Sequence, residues 1–338
     1  MHRRVWLRFF LRRFAIFLLT IFGSFTVAFL FFHLIPGDPI GALLASLQQS
    51  YGGNNTASAE MIAAYRTTFG LDLPLHEQYI RYITNVVFHL DLGPSLISFP
   101  THSQELIARA LPWTIGLLGL AVLISWGLGL ILGGILGWQR NLPGAKILTT
   151  AAIGFAQIPQ YIVAIILVFL FAYFLHWLPS RDAYPANVSP GLTSEFVTGV
   201  LKHGILPALS IVIVAISGWM LSTRSLIVSI LGEDYLLYAQ AKGLPPRNIF
   251  LHYALRNALL PQLTGLAISL GFIVNGALLV ETLFNYPGLG SLLTRAVGIL
   301  DYNTMQGIVL ISIISVLTAN FLLDLIIPRI DPRVRIGG

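Results

Sequence analysis

The chain has 338 residues, of which 56% are hydrophobic and only 10% are charged. Its mean hydropathy of +0.79 lies far above that of a water-soluble protein of this length, so the composition predicts an integral membrane protein. The formal net charge is +6, but the cations lie beside apolar runs along the chain, which argues against nucleic-acid binding. Cysteine is absent, which excludes disulfides, thiolate metal sites and a cysteine nucleophile.

Six stretches are long and apolar enough to cross about 30 Å of hydrocarbon as helices. The first follows a basic segment, MHRRVWLRFFLRRF, and is too long for the apolar part of a signal peptide, so we predict an uncleaved anchor. The sequence therefore predicts an all-α integral membrane protein with six transmembrane helices. The predicted spans are residues 14–34, 114–138, 147–175, 205–223, 263–284 and 307–327.

A long connection, from about residue 35 to residue 110, separates the first span from the second. Within it, residues 77–90 have helical periodicity but contain Arg81 and are too short to span, so we expect them to lie on the outer face. We predict two parts of the chain: residues 1–110, with the tail, first span and outer segment, and residues 111–338, a five-helix core.

The distribution of basic residues predicts that both termini lie in the cytoplasm. Of the 20 Lys and Arg residues, 14 lie in the two tails and in the second-to-third and fourth-to-fifth connections. Cations near helix ends resist translocation, so these four regions are expected on the cytoplasmic side. The same rule makes the loop of residues 229–261 cytoplasmic.

This cytoplasmic loop contains YAQAKGLPPRNIFLHYALRNALLP and has a helical pattern with one break. Glu233 and Asp234 lie where a helix N-terminus favours negative charge, Lys242 would lie in the last turn, and Gly243 would stop the helix. A short helix is therefore predicted over residues 233–242.

A second helix is predicted to begin near Arg247 and to continue into the fifth span. Leu251, Leu255 and Ala258 would share one of its faces.

The residues of the loop leave two interpretations open. The small residues Ala239, Ala241 and Gly243 would let a groove of a partner protein approach closely. Alternatively, the loop is an amphipathic connector on lipid headgroups, with Lys242 and Arg247 contacting anionic lipid.

Polar side chains within the spans are candidates for a solute pathway, because a polar solute needs partners that replace water. Hydrogen bonding between helices is the alternative, and Glu281, near a helix end, would also be reached by interfacial water. Pro159 interrupts the third span and predicts a packed kink. The pathway candidates are Gln157, Asn275, Glu281 and Asn320.

Four glycines in the second span would permit close approach by another helix. We expect this helix to pack against a partner subunit, with lipid as the alternative neighbour. The glycines are Gly127, Gly129, Gly133 and Gly134.

The sequence lacks the motifs of several enzymes. It contains no phosphate-binding P-loop, so any ATP that drives it must be bound by another polypeptide, and it contains no H-E-x-x-H zinc motif. No serine or acid pair with a base is expected inside the membrane, so we predict no enzymatic activity in this chain.

The loop resembles the EAA loop of the membrane subunits of binding-protein-dependent ATP-binding-cassette importers, which forms a coupling helix in a cleft of the ATPase subunit. Leu237 and Tyr238 stand at the Glu-Ala positions of that motif, while Ala239 and Gly243 are retained. The wider run EDYLLYAQAKGLPPRNIFLHYALRNALLP resembles the dipeptide and oligopeptide branch of the family.

Further segments resemble the same branch, in the same order, over nearly the whole chain. One departure is Leu90, where the family more often has glycine. The segments are PGDP, GLDLP, EQY, HGILPALS, ETLFNYPGLGSLL and DPRVR.

The resemblance implies a type I importer permease in a bacterial inner membrane that takes up peptides or similar small solutes. Dipeptides, oligopeptides, nickel chelates and glutathione-like molecules are all consistent with it. It implies a second permease that is a homologous different chain, two ATPases that bind the ATP and magnesium, and an extracytoplasmic solute-binding protein; no cofactor is expected in this chain. The implied coupling residues are Glu233, Asp234, Tyr238, Ala239, Ala241, Lys242, Gly243 and Leu244.

Two other classes of function stay open on the residues alone. An ATP-independent carrier or channel would be expected to show charged relay residues or paired broken helices, which we do not find in the sequence. A receptor-like membrane protein would use the loop to recruit a soluble partner without transport.

Overall fold

The computed structural model describes residues 2–34 and 72–330, together with the single positions 41 and 67. Of these residues, it describes the side chains of those numbered 7 to 325. Three of the predictions therefore lie outside the described residues. They concern the PGDP segment, the first half of the outer connection, and the DPRVR segment.

The described residues are almost entirely helical, and among them the only β-type pairing is one isolated bridge between Pro94 and His102. Three π-helical stretches adjoin helices: Asn85–His89 after α2, Val168–Phe174 after α5 and Ile249–Leu255 before α8. The helices are α1 (His2–His33), α2 (Leu75–Thr84), α3 (Ser103–Trp138), α4 (Pro143–Ala156), α5 (Gln160–Leu167), α6 (Ser194–Ile230), α7 (Asp234–Ala241), α8 (Arg256–Gly271), α9 (Leu278–Leu283), α10 (Leu289–Gly298) and α11 (Tyr302–Ile330).

Five continuous helical segments are long and apolar enough to cross a membrane, and the bent pair of α4 with α5 makes a sixth if the pair is counted as one span. The predicted all-α membrane protein is therefore confirmed, with five or six candidate spans. The predicted helical stretch on the outer connection is also present, as α2 and its π-helical continuation. The five segments are Leu7–His33, Ser103–Trp138, Ser194–Ile230, Pro246–Asn275 and Tyr302–Leu325.

The third span is broken, which corrects the prediction of one continuous helix over residues 147–175. The α4 and α5 axes differ by 99°. Pro159 caps α5 with an extended backbone, because proline has no N–H to continue the α4 ladder and disfavours a helical residue before it. The expected kink at Pro159 is thus a turn of about a right angle, 99°.

The fifth span lies earlier in the sequence than predicted. Its helix ends at Gly271, followed by a single 3₁₀ turn, Ile273–Asn275, and Gly276 with a φ of +71°. The apolar run continues beyond this point into α9, a short helix that buries Val280 and Glu281, and hydropathy does not separate such a helix from the end of a span.

The described residues form two compact units. The first unit contains the chain up to Thr114, Val274–Leu278, and the chain from Pro287 onwards. The second contains Ile115–Ile273 and Leu279–Tyr286. The division into residues 1–110 and 111–338 stays a prediction, since these units are defined by packing and not by order along the chain.

In the first unit α1 packs along α11. Near the start of α1, Phe14 and Phe17 pack against Phe321, and Arg13 forms an ion pair with Asp324 across an N–O distance of 3.0 Å. The ion pair gives Asp324 a partner on the neighbouring helix, which a carboxylate within an apolar span requires.

Asp301 holds the outer loop of the first unit to the start of α11. Its buried carboxylate accepts hydrogen bonds from the hydroxyl of Ser95 and the backbone amides of Leu96, at 2.9 Å, and Ile97, at 3.3 Å. It also accepts from the amide of Thr304, at 3.2 Å, and so caps α11. Several donors offset the cost of burying this charge.

Leu90 has a left-handed backbone, with a φ of 54°. Its side chain is exposed, so no packing compensates for the conformation. The left-handed region favours glycine, which is the residue the resembling family more often has here.

Leu90→Gly should stabilise the protein. The substitution removes a left-handed cost of about 1–2 kcal/mol and adds chain entropy worth about 0.5–1 kcal/mol, so the thermal unfolding midpoint in detergent should rise modestly. His89→Gly is the matched control, because His89 is helical and the substitution should lower the midpoint. A fall for both variants would contradict the conformational argument.

In the second unit α6 packs against α4 and α5, and α3 approaches it through glycines. A Cβ at Gly129 would lie 2.4 Å from Cβ of Trp219, one at Gly133 2.3 Å from the carbonyl oxygen of Met220, and one at Gly137 2.8 Å from Ile227. These glycines recur every four residues, so they lie on one face of α3. That face contacts this chain's own α6, which corrects the expectation of a partner subunit for Gly129 and Gly133.

Gly133→Ala should destabilise the second unit, because the methyl group would collide with the α6 backbone. A loss of about 1–3 kcal/mol is expected, seen as a lower thermal unfolding midpoint. Gly127→Ala, on the same helix with no atom within 4 Å of its Cβ position, should be neutral or slightly stabilising. Equal losses in both variants would show that the close helix contact is not the cause.

Candidate coupling site

The short helix predicted in the cytoplasmic loop is α7, Asp234–Ala241. Glu233 caps its N-terminus with an extended backbone and Asp234 lies in its first turn, where negative charge is favourable. Lys242 caps the C-terminus. The helix thus begins and ends within one residue of the predicted bounds, 233–242.

The C-terminus of α7 is fixed by a Schellman motif. The Leu244 amide donates to the carbonyl of Ala239 at 3.3 Å, and the Gly243 amide donates to that of Gln240 at 2.9 Å. Gly243 has a φ of +72°, which a residue with a Cβ adopts only with strain. Glycine at this position therefore sets the direction in which the chain leaves α7.

One face of α7 is anchored in the second unit. Leu236, which is 1% exposed, and Ala239 form a cluster with Ile249. Side chains from the ends of two long helices pack on this cluster: Trp138 from α3 and Ile230 from α6. The predicted set includes Ala239 and Leu244 of this cluster, but it lacks Leu236, although Leu236 and Ala239 have the i, i+3 spacing of a helix face.

The opposite face of α7 exposes large side chains. Leu237 and Tyr238 are 58% and 70% exposed, and Ala241, Lys242 and Gly243 are exposed beside them. Such a patch of an apolar and an aromatic residue is typical of a protein-docking surface. We call these five residues the α7 patch.

Tyr235 connects α7 to the following helix. Its hydroxyl accepts a hydrogen bond of 3.3 Å from the Asn257 amide. Burial and the nearby Glu233 carboxylate raise the pKa of Tyr235, while the hydrogen bond from Asn257 opposes them, so the phenol stays neutral at physiological pH.

The helix after α7 packs through only part of the predicted face. Ile249, Ala254 and Ala258 are buried, whereas Leu251 is exposed and Leu255 only partly buried. The cause is the π-helical stretch Ile249–Leu255, whose i to i+5 pairing places Ile249 and Ala254 on the same side. Of the predicted stripe, Leu255 and Ala258 pack in one cluster with Ala254, whereas Leu251 is exposed.

The four pathway candidates lie in both units. Gln157 is exposed at the break between α4 and α5, in the second unit, which also contains Glu281. Asn275 is exposed at the end of the 3₁₀ turn and Asn320 is exposed on α11, both in the first unit. Their assignment to a solute pathway stays a prediction.

Glu281 is 0% exposed, which corrects the expectation of contact with interfacial water. Its backbone carbonyl accepts a hydrogen bond of 2.8 Å from the Tyr286 amide. Burial, together with the Glu281 charge, raises the pKa of Tyr286 to about 12, so that hydroxyl stays protonated.

These features define a class of protein: a helical membrane protein whose spans hold a short, anchored helix with one face available for docking. The model of the family described as "Binding-protein-dependent transport system inner membrane component" matches residues 129–336. A second model, of the N-terminal part of such membrane components, matches residues 6–117.

Two curated relatives agree with this assignment. The glutathione transport system permease protein GsiC of Salmonella paratyphi A is 34% identical over 312 residues, covering 91% of this chain and 92% of the relative. GsiC of Pectobacterium atrosepticum is 31% identical over 332 residues, covering 97% and 99%. This chain belongs to the family of binding-protein-dependent transport system inner membrane components.

Membership fixes the general function. The chain is a permease subunit of an ATP-binding-cassette importer in a bacterial inner membrane, and it crosses that membrane several times. ATP is hydrolysed by separate ATPase subunits, and the importer also uses a partner permease and a solute-binding protein. The family resemblance stated from the sequence is confirmed.

Leu236→Ala should loosen α7, because removing a fully buried leucine side chain leaves a cavity. The free energy of local opening, measured by amide hydrogen exchange of residues 234–241, should fall by about 2 kcal/mol or more. Tyr238→Ala removes an exposed side chain and should change that exchange by less than about 0.5 kcal/mol. Comparable effects of the two substitutions would contradict the assignment of the buried and exposed faces.

Proposed function

We propose that α7 is the coupling helix of this permease and that the α7 patch docks into a cleft of an ATPase subunit. The observation that carries this proposal is the opposition of the two faces: Leu236 and Ala239 are buried in the second unit, while Leu237 and Tyr238 are exposed. A lipid-surface connector would need no such anchor. The exposed tyrosine provides a large, rigid contact for a protein partner.

The anchor gives the docked helix a means to move the spans. The cluster around Leu236 includes Trp138 at the end of α3, Ile230 at the end of α6 and Ile249 before α8. A displacement of α7 by the ATPase would therefore act on three helices at once. ATP binding drives transport if the ATPase binds the α7 patch more tightly in one state of the permease than in the other.

The proposed solutes are peptides or similar small molecules. The support is the glutathione transport of the relatives, since glutathione is a peptide, together with the peptide-branch motifs of the sequence. We propose that Gln157, Asn275, Glu281 and Asn320 contribute to half of the translocation pathway, and that a homologous second permease forms the other half.

The remaining elements follow the same proposal. Both termini and the α7 loop face the cytoplasm, since most of the Lys and Arg residues flank that side. Two ATPases bind the ATP and magnesium, one of them against the α7 patch, and this chain holds no cofactor. The two permeases rock so that a central cavity faces alternately outward and inward.

Tyr238→Ala should uncouple the importer without unfolding it. In the complex reconstituted with its partners, ATPase affinity should fall about tenfold or more, because exposed tyrosines are frequent hot spots of interfaces, and ATP-driven solute uptake should fall with it. Tyr173→Ala, at a tyrosine of the same unit that is also more than half exposed, is the matched control and should retain both. Full uptake by Tyr238→Ala at normal expression would refute the coupling role of the patch.

A further inference from the structure

The first unit contains a cavity of about 410 Å³, with several polar and charged residues in its wall, that the coupling proposal does not use. Its walls come from α1, from α2 with its π-helical continuation, from the loop of residues 91–102 and from the start of α11. Its volume lies within the range of small-molecule sites, about 300–1,000 Å³. The pathway candidates Asn275 and Asn320 are not among its lining residues.

Several donors in the cavity are not used by the protein itself. Gln306 is 3% exposed and faces the cavity, and neither its amide nor the Arg81 guanidinium has a hydrogen-bond or ion-pair partner among the described residues. Tyr82 also lines the cavity. Burial raises the pKa of Tyr82, so its hydroxyl remains a donor.

The acceptors of the cavity are mostly occupied. Asp301 is saturated by the donors of the outer loop and of α11. The Oδ1 atom of Asp91 accepts from the Gly93 amide at 2.9 Å, from Gln104 at 3.2 Å, and lies 2.7 Å from Nδ1 of His102. Burial acts to raise the pKa of Asp91, but these hydrogen bonds outweigh it and lower the pKa.

Asp91 therefore retains one carboxylate oxygen, Oδ2, for which the described residues supply no donor. The cavity thus offers one cation, Arg81, and one anionic oxygen, Oδ2 of Asp91, to a ligand. Gln306 and Tyr82 add neutral donors. Guanidinium groups bind carboxylates in a bidentate manner, and a carboxylate oxygen suits an ammonium group.

We propose that this cavity binds a zwitterionic, peptide-like solute, with its carboxylate at Arg81 and Gln306 and its ammonium group at Asp91. The proposal rests on the proposed function for its solute class, and it adds a holding site in the first unit, apart from the residues assigned to the pathway.

The test is binding of tri-alanine to the full chain in lipid nanodiscs, without ATPase or ATP, by isothermal titration calorimetry. Tri-alanine with both free termini should bind saturably. Tri-alanine amide and N-acetyl-tri-alanine should each bind about tenfold more weakly or worse, because each lacks one of the two charges.

Arg81→Gln should remove the difference between tri-alanine and its amide. Arg81 is exposed on one side, so the variant is expected to fold, which size-exclusion chromatography checks. Arg295→Gln, at an exposed arginine of the same unit outside the cavity, should keep the full difference. Asp91→Asn should instead remove the difference between tri-alanine and its N-acetyl form.

Two results would overturn the site. One is no saturable binding of tri-alanine to the full chain. The other is an unchanged preference for the free carboxylate in Arg81→Gln. Neither result bears on α7, because no ATPase takes part, so the failure of this site and of the coupling proposal are distinguishable.

Discussion

Hydrocarbon offers no hydrogen-bond partners, and this constraint accounts for the long helices of the chain. It also sets what must surround the places where the helices break. A helix satisfies its own backbone groups, so an apolar run can cross the bilayer only in that form. Breaks such as the one before Pro159 and the one at Gly276 free backbone groups, which at membrane depth must be covered by protein or water.

Without a hydrophobic driving force between helices in lipid, close packing has to hold the second unit together. The glycines of α3, at positions 129, 133 and 137, bring its backbone against α6. The ends of these two helices then supply Trp138 and Ile230 to the cluster that anchors α7. The closely packed α3 and α6 are thereby connected to α7. The proposed coupling role of α7 needs such a connection.

The first unit adds polar contacts to its glycine and apolar packing. Asp301 takes its donors from the outer loop and from α11, and Asp91 takes its donors from the same loop and the start of α3. Because Asp301 and Oδ1 of Asp91 take their hydrogen bonds from these other donors, Arg81 and Gln306 are not needed as their partners and remain available to the proposed ligand. The unpaired groups in the cavity wall are thus those that the fold itself has not paired.

The sequence by itself determined the class of protein, its all-α architecture and the bounds of α7. These follow from hydropathy and from Glu233, Gly243 and the prolines after it, which act over a few residues. The tertiary structure decided the 99° break at Pro159, the burial of Glu281 and the π-helical register after Ile249. It also decided that the α3 glycines contact α6. Each of these depends on the neighbour of a residue in space, which the periodicity of one segment does not contain.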